Sequence, residues 1–211
     1  MTFDGFPEAA LDFYDDLEAD NTKTFWTENK HRYDEHVAAP AKALVAALGD
    51  EFGQAKIFRP YRDVRFSKDK TPYKTHQGIF VATGPSLGYY VQVGAPGIAT
   101  GAGFYDASPA RVASLREAIV HETFGAELQS IVETLESAGW VRGGQRLKTS
   151  PRGYDAEHPR IDLLRHKSLT VRRDRGFGPD VVGTPALLDV VRADWRETQP
   201  LLDWVGLHVR G

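Results

Sequence analysis

Residues 78–105 read GIFVATGPSLGYYVQVGAPGIATGAGFY. Three short runs, GIFVAT (78–83), GYYVQVG (88–94) and GIATGAGFY (97–105), are rich in β-branched and aromatic side chains, and GPSLG and GAPG separate them. Short runs of this composition, punctuated by Gly and Pro, are strands joined by turns. The stretch therefore predicts successive antiparallel strands, with the glycines of GAPGIATGAG permitting bulges or close backbone packing.

Upstream the period changes. Ala10, Phe13, Tyr14 and Leu17 recur at helical spacing, with Asp12, Asp15, Asp16 and Glu18 off the stripe, which predicts an amphipathic helix over 7–19. Asn21 or Thr22 caps a second helix carrying Phe25, Trp26 and Tyr33, and Pro40 suits the first turn of a third, with Leu44, Val45, Leu48 and Phe52 as its apolar face. Downstream, Ser108 and Pro109 open another helix, and Leu128, Ile131, Val132 and Leu135 mark a further one. SLTVRR (168–173) reads as a late strand, and Thr184 and Pro185 begin a final helix with Leu187, Val190, Val191 and Trp195 on one side. This order predicts an α+β fold: N-terminal helices on a central, mainly antiparallel sheet, with further helices at the C-terminus. A chain of 211 residues is expected to be a single domain over 1–211, with a helical segment 1–53 and a mixed α/β remainder 54–211. The four tryptophans, Trp26, Trp140, Trp195 and Trp204, are expected in the core.

There are no cysteines, which excludes disulfides, thiolate metal sites and a cysteine nucleophile. The acidic start, MTFDGFPEAALDFYDDLEADN, is unlike a secretory signal, and no stretch approaches the ~20 apolar residues of a membrane span, so a soluble cytoplasmic protein is expected. The net charge of −3 conceals segregation: residues 1–53 carry −8, 54–75 carry +5, 76–138 carry −4, 139–178 carry +6 and 179–211 carry −2. Two basic blocks on an acidic chain either form a patch for a localised anion or neutralise acidic neighbours.

The first block contains RDVRFSKDKTPYKT (62–75), with five cations and two carboxylates, at the handover from helices to sheet. Loops in that position commonly carry function, because a rigid scaffold holds an irregular backbone. Arg62 and Arg65 offer planar donor forks for oxyanions, while Lys68, Lys70 and Lys74 are flexible point charges. Asp63 and Asp69 can orient these cations, accept a proton or hold a metal. An internal salt bridge of Arg62 and Asp63 competes with ligand contact. Phe66 and Tyr73 either stack on a base or anchor the loop in the core, the usual duty of aromatics that flank a loop. Pro72 holds Thr71 away from helical geometry, so Ser67 to Lys70 form at most a short turn.

The same run, preceded by FWTENKHRYDEHVAAPAKAL and followed by LKTSPRGYDAEHPRIDLLRHKSL, resembles the bacterial family called domain of unknown function 2461, over nearly the whole chain. The resemblance implies a compact cytoplasmic protein in which the segments around Trp26, Arg65 and Lys148–Tyr154 belong to one unit. It brings no catalytic assignment.

In the second block, Arg172 and Arg173 point to opposite faces of a strand, so only one can join a given patch. From charge and from the resemblance, Arg152 and Tyr154 are the candidates for approaching the first motif. Sharper motifs fall away. Ser67 to Lys70 matches S-x-x-K without the helix that chemistry needs, there is no phosphate-binding P-loop, and Glu28 with His31 lacks partners for a metal site.

Three readings remain. The first is a binding site for a phosphorylated small molecule or a nucleic acid, formed by Arg62, Arg65, Ser67, Lys68, Lys70, Tyr73 and Lys74 with Arg152 assisting. The second is metal-assisted phosphoryl transfer or phosphodiester hydrolysis, with Asp63 and Asp69 holding a divalent cation. The third is a non-catalytic charge network that holds the fold together while the protein acts through a partner. No cofactor or dedicated metal motif is legible.

Overall fold

A computed structural model describes residues 2–65, 68–106 and 108–210, with Pro179 described by its backbone only. The chain begins with α1 (Glu8–Ala19) and α2 (Lys23–Tyr33), passes through a π-helical segment (Asp34–Ala38) into α3 (Ala39–Phe52), and then enters β1 (Ala55–Ile57). The three runs of the opening stretch become β2 (His76–Gly84), β3 (Leu87–Gly94) and β4 (Gly97–Phe104). After them come α4 (Pro109–Val120), α5 (Glu122–Ser137), β5 (Val141–Gly143), α6 (Ile161–Leu164), β6 (Leu169–Gly176), α7 (Pro179–Val182) and α8 (Ala186–His208). The strands form one six-stranded antiparallel sheet in the order β1-β2-β3-β4-β6-β5, so the α+β architecture is as the sequence predicts.

Local chemistry explains most boundaries. The α1 stripe of Ala10, Phe13, Tyr14 and Leu17 is buried, and the Thr22 hydroxyl caps α2 by accepting from the Phe25 amide at 3.2 Å. Pro40 lies in the first turn of α3, as the sequence predicts. The chain stays helical from Lys23 to Phe52, and the wide π turn comes just before the proline, whose ring in a regular helix would meet the carbonyl four residues back. The buried face of α3 is Ala41, Ala43, Leu44 and Leu48, with Val45 and Phe52 only half-buried. The glycines of β4 serve close packing: a Cβ on Gly101 would lie 2.9 Å from the Val171 carbonyl oxygen of β6.

The chain forms two compact units. One comprises residues up to Val81 with Tyr90–Thr100 and Asp174–Ala193; the other comprises Ala82–Tyr89, Gly101–Arg173 and residues from Asp194 onward. The core of the first unit is aromatic. The Trp26 ring lies 5.0 Å from Tyr33 and 6.0 Å from Phe13, and the Tyr33 hydroxyl donates to the Gln77 amide oxygen at 2.6 Å. Burial chiefly pushes the Tyr33 phenol up to about 12. On β2, Gln77, Ile79 and Val81 are buried on the face that meets this α2 contact.

In the second unit Trp195 is fully buried and stacks on Tyr89 at 5.2 Å. Beside it Arg173 donates to Asp194 at 2.8 Å and to Glu197 at 2.8 Å, with its guanidinium 4.3 Å above the Trp140 ring. Arg172 is exposed, so the two neighbours do take opposite faces of β6. All four tryptophans are buried. Among the described residues no helix is long and apolar enough to cross a membrane.

Candidate functional site

The charged run is the tip of a hairpin-like excursion from the β1–β2 edge. After β1, residues 58–62 continue antiparallel to 72–78. The Phe58 amide donates to the Gly78 carbonyl at 3.0 Å, Lys74 to Pro60 at 2.7 Å and Arg62 to Pro72 at 2.8 Å, around a bridge between Tyr61 and Tyr73. Neither Pro60 nor Pro72 has an amide to return the bond, so the ladder shrinks to one isolated bridge. The base of the excursion is nevertheless tied down. Asn21 uses both ends of its amide on Tyr73, donating to its carbonyl at 3.1 Å and accepting from its N–H at 3.0 Å. Tyr73 is buried and anchors the loop, as aromatics in such positions do. Tyr61 stays 47% exposed at the rim, 5.4 Å from Tyr73.

Within the loop the carboxylates are already engaged. Asp69 pairs with Arg62, while Asp63 receives Arg65 through Nε at 2.9 Å and Nη2 at 2.6 Å. Arg62 and Asp63 are thus both in internal salt bridges, the alternative to ligand contact that the sequence left open, though not with each other, because Asp69 closes an Asx turn that faces Arg62. Its Oδ1 accepts from the Thr71 amide at 2.9 Å and hydroxyl at 2.7 Å. These two bonds, with Arg62 nearby, hold the Asp69 carboxyl below its usual value, and the Arg65 fork does the same for Asp63. Lys70 donates to the Val64 carbonyl at 2.9 Å, and Lys68 is exposed without an ion pair among the described residues. Phe66 and Ser67 lie outside the described residues.

The second set of cations converges at the base of the loop. Lys74 donates to the Arg59 carbonyl at 2.8 Å, and its ammonium sits 5.4 Å above the Phe58 ring, while the Lys56 ammonium sits 5.3 Å above the same ring. None of Lys56, Arg59 and Lys74 has a carboxylate partner among the described residues. The Lys74 ammonium is held below its ordinary value by partial burial and by the charges of Arg59, Lys56 and Arg62. Lys56 and Arg59 fall just outside the run singled out in the sequence; the signal that includes them is the +5 block over 54–75.

Arg152 belongs to the second unit, exposed at the turn that follows Pro151, with Tyr154 donating its amide to the Pro151 carbonyl at 3.2 Å. Glu28 and His31 are exposed on α2, and the described residues contain no group of three or more His, Cys, Asp or Glu side chains placed to hold a metal ion.

No curated protein and no solved structure matches this chain. A family model does, across residues 9–204, and with that extent of match the chain belongs to the conserved hypothetical protein family DUF2461.

Proposed function

We propose that the protein binds an anionic ligand, a phosphorylated small molecule or a nucleic acid, at the basic loop 62–75 and the strand leading into it. The observation that carries this reading is the pair of ammonium groups, Lys56 and Lys74, over one Phe58 ring, with the Arg59 charge acting on Lys74 and no carboxylate partner for the three among the described residues. A cluster of like charges raises the energy of the empty site, and an arriving oxyanion removes that repulsion while gaining charge-assisted hydrogen bonds. Lys68, exposed and without an ion pair among the described residues, adds to the positive charge of the loop.

A second reading has its own support. Asp63, Asp69 and the Val64 carbonyl each hold a cation of the loop, which fits a network that shapes the backbone. The two readings divide the residues between them: the pairs shape the tip, and the unpaired cations at the base take the ligand.

Thermal unfolding with tripolyphosphate tests the proposal. At ~100 times the dissociation constant a ligand adds about 2.7 kcal/mol, or roughly 5–10 °C for a chain of this size. The shift should shrink in high salt and in Lys74→Gln and Arg59→Gln. An absent shift, with both variants folded, would leave the structural reading alone.

A further inference from the structure

A groove runs between α4 and the last turn of α8, within the second unit. Glu117, Ala118 and His121, spaced at one helical turn, line its α4 side, and Leu207 and Arg210 line the other, around a volume of about 660 Å³. The Arg210 amide donates to the Ser114 hydroxyl at 2.8 Å, which ties the residues after α8 to α4. The rings at one end of the groove are already matched with one another: His121 stacks on Phe124 with centres 3.8 Å apart, and Phe124 on His208 at 4.1 Å. They make a fixed wall and are not what the groove leaves unmatched. Three other side chains are. Leu207 is 69% exposed, the most of any large apolar side chain among the described residues. Glu117 and Arg210 are exposed too, and neither has an ion-pair partner among the described residues, although both line this groove. A lone exposed leucine is ordinary on a protein surface. Here it shares a groove with buried Ala118, a residue small enough to leave a recess, and with one unpaired charge of each sign.

We infer that this groove is where the chain pairs with a second copy of itself about a two-fold axis. Each copy seats its Leu207 over the Ala118 of the other and sets its Arg210 against the other's Glu117. A two-fold contact places the same patch on both partners, so the patch has to complement itself, and a leucine with a small-residue recess and one charge of each sign does so. The two signs also decide between occupants. An oxyanion would satisfy Arg210 and be repelled by Glu117, whereas an identical surface turned through half a turn meets both charges at once. The patch is small, which makes the dimer a transient one, with a dissociation constant in the micromolar range or above. The anion site belongs to the first unit, so the two proposals stand or fall separately.

Sedimentation velocity of the full chain over roughly 5 to 500 µM tests this, and the mean mass should rise with concentration from monomer toward dimer. High salt should weaken the association. Glu117→Arg and Arg210→Glu should each weaken it at least about tenfold, because each variant sets two pairs of like charges face to face. The deciding measurement mixes these two variants. One copy then carries two cations and the other two anions, so a mixed dimer regains both pairs and should form about as tightly as the wild type, read by energy transfer between differently labelled copies. Leu207→Asp, which would bury a charge without a partner, should weaken association at least about tenfold as well. The three positions are exposed, and circular dichroism checks that the variants fold. Should a reversed charge prevent folding, Glu117→Gln and Arg210→Gln take its place, and each should lose the salt dependence of the wild type. A chain that stays monomeric over the whole range, a dimer indifferent to Leu207→Asp or to the charge changes, or reversed variants that ignore each other when mixed overturns the inference.

Discussion

The phenol ring of Tyr73 lies flat on the indole of Trp26, centroids 4.4 Å apart and planes 9° from parallel. Through this stack the base of the charged excursion is held to α2, and the Asn21 amide holds its backbone at the same point. Asn21→Ala removes both of those hydrogen bonds from a part-buried backbone. It should cost about 1–3 kcal/mol, read from the denaturant midpoint, and weaken tripolyphosphate binding by loosening Lys74 one residue on. Full stability and full binding in this variant would mean that the stack alone holds the loop.

Arg173 should be among the most sensitive cations for stability. Its Asp194 partner is 1% exposed, so Arg173→Met leaves a buried carboxylate without this guanidinium and should cost about 3–5 kcal/mol. The double variant Arg173→Met with Asp194→Leu should recover much of that loss. Urea unfolding of the three proteins measures the difference, and a double variant as unstable as the single would put the contribution in the Trp140 contact instead.

Lys74 should report the ligand directly. Its folded-state pKa lies below the ordinary 10.5, so the folded state holds the proton less tightly than the unfolded chain. The charge therefore opposes folding at neutral pH, and the opposition is relieved as pH rises through the folded value. An anion at the site reverses the repulsion, so Lys74 should titrate higher with saturating tripolyphosphate, as followed by side-chain NMR. Lys74→Gln should change stability by no more than about 0.5 kcal/mol, since the site is partly open to water. An unmoved Lys74 titration would place the anion elsewhere.

His166 should make the fold sensitive to acid. It is buried, and its Nδ1 lies 3.0 Å from the Ser168 carbonyl, an acceptor that assigns the proton to Nδ1. Burial is the chief cause that lowers its pKa from 6.5, helped by the charges of Arg142 and Arg146 and opposed by the hydrogen bond to the Ser168 carbonyl and, less, by Asp162. With the folded pKa depressed, the His166 contribution is complete above about 6.5 and is lost as pH falls from there toward the folded value. His166→Gln should flatten that part of the stability profile. An unchanged slope would assign the acid sensitivity to carboxylates.

The parts of the fold legible in the sequence are those whose pattern repeats. The β-rich runs of 78–105, the α1 stripe and the parity of Arg172 and Arg173 all declare themselves by period. Strands β1 and β5 do not, because three residues are too few to show alternation. Asn21 reads as a helix cap, and its bond to Tyr73 spans 52 positions, a distance at which no local period survives. The pairing of Arg62 with Asp69 rather than with its neighbour Asp63 depends on the Asx turn at Asp69, which one sequence does not specify. Lys56 and Arg59 were visible only as charge, and the Phe58 ring that gathers two ammonium groups became visible only with the strand register.

The two borders of the sheet share one feature. Both β1 and β5 are three residues long, and the middle residue of each is a cation, Lys56 in one and Arg142 in the other. A long neutral border would invite a strand from another molecule to continue the ladder, and short charged ones repel it. At β1 that protection comes from a residue proposed to meet the anion, so neutralising Lys56 should weaken tripolyphosphate binding and, at high protein concentration, make the chain more prone to self-association.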